Sequence, residues 1–366
     1  MNSTRRPRCD IIPRMFELNS ENAVDYLRAR GAFAAGVSAT AELLGWGVSN
    51  VVLRVNCDDG NALVLKQSRE KLRTRADWRS RLERVYREAE VQRLLADLLP
   101  AGMVPRVLFE DRPNFLFAMQ AVEADHVVWK AALLAGRCDA AIATAAATAL
   151  ARVHGGTAGD NIPGIFQNPW DVAVFDELRL DPFYRFTAKS HPEIAGRLEA
   201  LIAESLSTRL CLVLGDFSPK NILLTRQGIA LVDFETAHFG DPAFDLGFFL
   251  SHLLLKAIAA TSQGVSETAG MSPGDFLDLA EAFWREYLAR LTPPANMPGL
   301  RDSEISRRTV LHLAGCLLAR IDGKSPVDYL DEHQRHVARQ FSLRLLADLP
   351  TRTEVVFEQM RSMLRD

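Results

Sequence analysis

At 366 residues the chain is longer than one hydrophobic core usually fills, so two lobes are expected, and its 48% hydrophobic and 24% charged residues exclude a disordered, collagen-like or coiled-coil protein. A net charge of −3 excludes nucleic-acid binding by bulk electrostatics, although residues 1–130 are net +3 and residues 131–366 net −6. The five cysteines are scattered, with no metal-spaced cluster, which implies free thiols in a reducing cytosol.

Residues 1–18 read as a loose lead-in whose basic start lacks the apolar run of a signal peptide. Asn19-Ser20-Glu21 then offers a helix cap before Val24, Tyr26 and Leu27. From Leu43 the pattern becomes strand-like: Val51–Val55 and Ala62–Lys66 flank the hairpin signal Asp58-Asp59-Gly60-Asn61. A charged helix is predicted over Trp78–Leu99, followed by strands over Arg106–Glu110 and Asn114–Gln120. These elements make a small β-rich lobe with one helix, ending near residue 120.

The remainder, 121–366, reads as mostly helical. An Ala-rich helix over Asp139–Val153 is expected to stop at Gly155-Gly156. Asn168-Pro169-Trp170-Asp171 and Asp181-Pro182 predict turns, and Pro192–Leu206 predicts another helix. A β island follows, with strands at Leu210–Leu214, Ile222–Thr225 and Ile229–Phe234. Helices resume at Leu246, where the apolar run to Leu255 is too short to span a membrane, and continue between loops 261–274 and 292–301.

Chemistry concentrates in Leu210–Leu250. Asp216 leaves a strand end on a polar turn, Asn221 follows five residues later, and the hairpin returns Asp233 and Glu235 to the same edge. Each piece alone reads equally as turn chemistry, because Asp and Asn favour turns. Together they converge oxygen ligands of the kind that hold Mg²⁺ alongside phosphate, with one carboxylate left to orient a hydroxyl. The first lobe supplies a Gly-rich turn, Gly45-Trp46-Gly47-Val48-Ser49-Asn50, and Lys66 near the end of the next strand. Backbone amides and a strand lysine in that order can hold phosphates. Glu88 and Glu90 point to different helix faces, so at most one pairs with Lys66, and Glu88 is preferred.

That order of residues resembles the protein-kinase-like fold, an α+β two-lobe architecture with a small β-rich N-lobe and a larger, mostly helical C-lobe. Within it the chain is similar to the small-molecule kinase branch of aminoglycoside phosphotransferases, choline kinases and methylthioribose kinases. Leu-Ala-Arg-Val-His at 150–154 and Gly240-Asp241-Pro242-Ala243-Phe244-Asp245-Leu246-Gly247 fit that branch as well. The resemblance covers residues 40–250 and implies a cytoplasmic enzyme using ATP and Mg²⁺ on a small hydroxylated molecule. It makes Asp216 the catalytic carboxylate and Asn221, Asp233 and Glu235 the metal-holding set. Lys66, kept by Glu88, would contact the α/β-phosphates under the turn of Gly45, Gly47, Ser49 and Asn50. Backbone atoms from Gln120 to Val122 would bind adenine, and Asp245 would hydrogen-bond the catalytic loop.

Two positions depart from the pattern. Leu214 stands where the family has histidine, and Lys220 stands where it has glycine. Lys220 either neutralises charge on the transferred phosphoryl group or faces solvent. These departures motivate the alternative of a nucleotide-binding module without turnover. For the acceptor, Trp170 and Tyr184 are candidate cage aromatics and Arg320 a candidate polar contact. Leu313-Ala314-Gly315-Cys316 echoes methylthioribose kinases, but the arginine pair that follows it there reads Arg320-Ile321 here. A sugar-like, amino-alcohol or aminoglycoside acceptor is therefore left open.

Overall fold

The computed structural model describes residues 16–34, 36–45, 49–74, 77–261 and 271–365. Gly47, with its neighbours Trp46 and Val48, lies outside them. The chain opens on α1 (Ala23–Ala29), β1 (Ala39–Leu43), β2 (Asn50–Cys57) and β3 (Ala62–Ser68). Then come α2 (Arg84–Leu98), β4 (Val107–Asp111) and β5 (Leu116–Gln120). The five strands form one antiparallel sheet in the order β1-β2-β3-β5-β4. The β2–β3 hairpin closes where expected, with Gly60 at φ 86° and Asn61 N–H donating to Asp59 Oδ1 at 2.9 Å.

Side chains alternate across a strand, so β3 serves two layers. Leu63 and Leu65 pack with Leu53, Val55 and Leu116 against Ala23 and Leu27 of α1. Val64 faces the other way, onto Val85, Tyr86 and Ala89 of α2 with Phe117 and Met119. Lys66 shares the parity of Val64 and so points toward α2. That helix begins at Arg84 instead of Trp78, because the preceding segment is anchored elsewhere. Trp78 Nε1 donates to Glu177 O at 3.0 Å and Ser80 Oγ to Glu177 Oε2 at 3.0 Å.

The second lobe runs β6 (Val127–Val128), α3 (Trp129–Leu134), α4 (Ala140–Gly156) and α5 (Pro169–Phe175). A π-helical segment, Asp176–Arg185, leads to α6 (Phe186–Ser190), α7 (Ala195–Ser207) and β7 (Cys211–Val213). There follow β8 (Ile222–Thr225), β9 (Gly228–Leu231), β10 (His238–Gly240), α8 (Ala243–Ala259) and α9 (Pro273–Arg290). The chain closes with α10 (Asp302–Asp322), α11 (Glu332–Asp348) and α12 (Thr353–Met363). Strands β6-β8-β9 and β7-β10 make two small antiparallel sheets.

Three local expectations are corrected. The helix expected to stop at Gly155-Gly156 includes both glycines. Asn168 caps α5, accepting from Trp170 N at 2.9 Å, so its Pro-Trp-Asp run starts a helix rather than a turn. Pro182 lies inside the π-helical segment, whose wider spacing tolerates the missing N–H that would break an α-helix.

Helix α8 is buried along its whole length, crossing α10 closely. No described helix is long and apolar enough to cross a membrane. At the α8–α10 crossing an added Cβ on Gly247 would lie 2.5 Å from Leu313 N and 2.6 Å from His312 Cβ. Backbone cannot move aside there, so Gly247→Ala is expected to destabilise by about 1–3 kcal/mol through overpacking. Differential scanning calorimetry should record a melting temperature lower by several degrees, and an unchanged value would contradict the close crossing.

Candidate active site

After β7 the chain turns at Gly215, where φ is 72° and a Cβ would meet Thr236 Oγ1 at 2.7 Å and Thr236 O at 2.8 Å. Only glycine takes this backbone at this contact. Asp245, in the first turn of α8, fixes the loop from below. Its Oδ2 accepts from Leu214 N and its Oδ1 from Gly215 N, both at 2.7 Å. Behind it His154 places Nε2 3.2 Å from Asp245 Oδ2 and Nδ1 2.9 Å from Tyr287 OH. Thr236 Oγ1 donates to Leu214 O at 3.0 Å. The loop is therefore held through the backbone of residue 214, and the Leu214 side chain fills the core.

Asp216 emerges from this turn between two donors. Arg179 Nη2 lies 3.0 Å from Asp216 Oδ1, while its Nε donates to Gly215 O at 2.7 Å. Asn221 Nδ2 donates to Asp216 Oδ2 at 2.9 Å and to Asp216 O at 3.0 Å. Asp216, Asn221 and Asp233 line one recess, walled by Leu214, Phe217, Leu231 and Phe234. Sequence reasoning missed Arg179, which lies in the segment read as a turn.

On the first-lobe side, Lys66 Nζ bridges Glu88 Oε1 at 2.7 Å and Asp233 Oδ1 at 2.6 Å. Glu90 instead meets Arg87 at 2.7 Å and Arg112 at 3.8 Å. Burial opposes the Lys66 charge, yet Asp233, Glu88 and Glu235 raise its pKa well above the usual lysine range. Burial likewise disfavours the charge on Asp233, but Lys66, Lys220 and Arg179 outweigh it and hold the carboxyl at about 2. For Glu88 burial wins over Lys66 and pushes the carboxyl up to about 7. Asp233 has φ 72°, a left-handed conformation that a non-glycine residue adopts at a cost, and Asp tolerates it better than most.

Glu235, expected to assist in holding the metal, is engaged by three donors. Its Oε1 accepts from Ser49 Oγ at 2.5 Å, and its Oε2 accepts from Asn50 Nδ2 at 2.8 Å and Arg84 Nε at 2.9 Å. Arg84, fully buried, also donates to Ser49 O at 2.6 Å and Arg69 O at 2.9 Å. Ser49 and Asn50 therefore direct their side chains to Glu235, tying the start of β2 to the second lobe. Glu88, Asp233 and Glu235 bring carboxylate oxygens within 4.8 Å of one another. Of these, Asp233 shares the recess with Asn221, and that pair of hard oxygen donors suits Mg²⁺. The three donors on Glu235 leave it little capacity for an ion.

The remaining expected residues divide. Gln120 N–H donates to Arg106 O at 2.8 Å and Val122 O accepts from Arg54 Nη1 at 2.7 Å, so part of the expected adenine-binding backbone is already engaged. Trp170 packs with Leu72, Trp78, Val174 and Leu178. Tyr184 is fully buried, its hydroxyl paired with His312 Nδ1 at 2.8 Å, and is a core residue rather than a cage wall. Arg320 bonds Ser325 Oγ through Nη1 at 2.9 Å, and its pKa is lowered by burial and Arg179 against the raising effect of Tyr329 and Asp216. Lys220, between Pro219 and Asn221, helps lower the Asp233 pKa.

Known proteins resemble this chain over most of its length. Methylthioribose kinase 2 of Oryza sativa subsp. japonica is 28% identical over 271 residues, 65% of this chain and 62% of the rice protein. The chain thus spans under two thirds of that relative. Methylthioribose kinase of Geobacillus sp. (strain WCH70) is 23% identical over 373 residues, 91% of each chain. The crystal structure of choline kinase from Cryptosporidium parvum superposes with a TM-score of 0.54 at 12% identity, covering 94% of this chain and 99% of the other. That last likeness is one of fold, the two-lobe arrangement of a protein kinase. Residues 40–277, which hold the recess and every side chain bridging it, match the phosphotransferase enzyme family, and the chain belongs to that family.

Proposed function

We propose that the protein is an ATP-dependent kinase that moves the γ-phosphoryl group of Mg·ATP to a hydroxyl of a small, sugar-like or amino-alcohol metabolite. One observation carries this reading: Lys66 reaches from β3 to Asp233, and Asp233 shares its recess with Asp216 and Asn221. A phosphate-directed cation, a metal-holding carboxylate and a hydroxyl-orienting carboxylate thus meet at one place. The relatives named as methylthioribose kinases support a hydroxylated acceptor.

In this mechanism Lys66 binds the α/β-phosphates, and Glu88 keeps its ammonium extended toward them. Asp233 and Asn221 would hold Mg²⁺, which when bound would supply positive charge against the phosphate oxygens. Asp216, oriented by Arg179 and Asn221, takes the hydroxyl proton as the acceptor oxygen bonds to the γ-phosphorus and the bond to the ADP oxygen breaks. Lys220 stabilises negative charge on the phosphoryl group in transit. Glu235 ties Ser49 and Asn50, at the start of β2, to the second lobe with the help of Arg84. Loss of the family histidine at position 214 is tolerated because Asp245 holds the loop by its backbone.

Transfer from γ-labelled ATP to a panel of ribose derivatives, amino alcohols, hydroxylated amino acids and aminoglycosides tests the proposal. Label on one class, absent with Asp216→Asn, is expected. Binding of ATP with no label transferred to any class would sink it.

A further inference from the structure

Beside the Pro219–Asn221 turn the second lobe gathers three cations, Lys256 fully buried and Lys130 and Arg320 partly exposed, with little to neutralise them. Lys256 of α8 is fully buried, and among the described residues its ammonium donates only to the backbone carbonyl of His252, at 3.1 Å. Lys256 and Lys130 of α3 lie against the same Tyr329 ring, at 5.4 and 5.5 Å from its centre. Arg320 of α10 approaches the cluster and bonds Ser325 through Nη1, with Oγ at 2.9 Å. The charges acting on Lys256 are both positive, those of Lys130 and Arg320. Those acting on His252 are positive too: Arg320, Lys256, Lys130 and Lys220. Asp328 meets Lys130 at 3.5 Å from an exposed position, and Asp216 acts on Arg320 from the recess.

Polar atoms in this cluster also lack partners. His252 Nε2, Arg320 Nε and Tyr329 OH are each buried without a hydrogen bond among the described residues. The His252 side chain belongs to a residue only 9% exposed. A fully buried ammonium beside buried, unpaired polar atoms costs free energy unless something pairs with them. An anion offering several acceptor oxygens would satisfy the Lys256 ammonium, the Arg320 Nε–H and the Tyr329 hydroxyl together. The cluster is contiguous with the recess: Arg179, which holds Asp216, lies over the Phe248 ring at 5.8 Å, and Phe248 packs edge-on to His252 at 4.8 Å. Helix α3, which carries Lys130, packs on Pro219–Asn221.

We infer that Lys256, Arg320 and Lys130, with His252 and Tyr329, form an acceptor subsite for an anionic group, so that the molecule phosphorylated carries a carboxylate or a phosphate besides its reacting hydroxyl. The inference rests on the reading of the Asp216 recess as the phosphoryl-transfer site. A polycationic aminoglycoside or a choline-like ammonium would meet repulsion at this subsite. Burial, reinforced by Lys130 and Arg320, depresses the Lys256 ammonium to about 7, so an arriving anion would also restore its proton.

The test compares matched acceptors in the full chain: gluconate against glucose, ribose 5-phosphate against ribose, and choline. Transfer from γ-labelled ATP is expected at least tenfold more efficient for an anionic member, gluconate marking a carboxylate site and ribose 5-phosphate a phosphate site. Lys256→Met should raise KM for that acceptor about tenfold or more, leaving KM for ATP and kcat near their original values. The same variant should melt a few degrees higher, since it removes an unpaired buried charge, whereas a purely structural lysine would melt lower when replaced. Arg320→Gln provides the second variant and should also raise the acceptor KM. Equal use of neutral or cationic acceptors, or a KM unmoved by both variants, would overturn the inference.

A binding arm separates this inference from the kinase proposal. Inorganic phosphate or gluconate should raise the melting temperature of the original protein more than that of Lys256→Met. Anion stabilisation in a protein that never transfers label would remove the kinase reading and keep the subsite. Transfer to neutral acceptors with no anion stabilisation would do the reverse.

Discussion

Asp216→Asn is expected to lower phosphoryl transfer by about 10²–10⁴-fold while the protein remains folded, the range associated with loss of a positioned general base. Asparagine matches aspartate in shape, and its amide oxygen can still accept from Asn221 Nδ2, which now lies 2.9 Å from Asp216 Oδ2. What disappears is the charge that pairs with Arg179 at 3.0 Å and the basicity that removes the hydroxyl proton. Arg179 keeps its bonds to Gly215 O and Leu178 O, both at 2.7 Å, so the loop retains its shape. The cost in stability should stay near 1–3 kcal/mol, the penalty of one buried charge losing its partner. KM for ATP should scarcely move, because Lys66 and Asp233 are untouched. Steady-state kinetics beside a thermal melt read both quantities, and a rate within tenfold of the original would remove Asp216 from the catalytic role.

Much of this site was legible in the sequence because its logic is local. Helical geometry separates Glu88 from Glu90, so at most one could pair with Lys66, and the preferred Glu88 is the one that strand parity and the fold bring to it. The Asp216–Asn221 spacing and the hairpin back to Asp233 are likewise set by short-range chain geometry. What was not legible depends on tertiary contact. Arg179 sits in a stretch whose Asp181-Pro182 pair reads as a turn, and the π-helical path through it leaves no pattern in residue types. Aromatic spacing alone did not distinguish Tyr184, a core residue bonded to His312, from a wall of an acceptor pocket. The cationic cluster draws Lys130, His252, Lys256, Arg320 and Tyr329 from three helices and a loop, a gathering that no window of sequence reports.

Glu235 illustrates the same limit at closer range. An Asp-x-Glu spacing brings two carboxylates near each other but does not say which of them faces the ligand. Here the distinction is made by Arg84, 151 positions away, whose Nε reaches Glu235 and whose Nη2 reaches the backbone of Ser49. Asp233 and Glu235 consequently divide the work between the two lobes. One is turned by its left-handed backbone toward Lys66 and the recess, and the other holds Ser49 and Asn50 at the start of β2.

That division makes Asp233→Asn the sharper test of the metal-holding assignment. Alanine would mix two effects, because φ at this residue is 72° and alanine pays for that conformation. Asparagine tolerates it, so backbone strain is removed from the comparison. Lys66 retains Glu88 at 2.7 Å, and the Glu235 network is untouched. The variant loses only the carboxylate charge, held ionised at about 2 in the native protein and therefore fully present at neutral pH. Because the folded pKa is depressed, that ionised form stabilises the fold above the unfolded carboxyl range, and the contribution fades as pH falls toward 2. Mg²⁺-dependent turnover should fall by at least 10²–10³-fold, the cost of removing one electrostatic element preorganised for the transition state. The acid side of the stability profile should flatten over the same interval. A variant that melts like the original protein yet turns over at the original rate would show that the ion is held elsewhere, with Glu235 the first residue to reconsider.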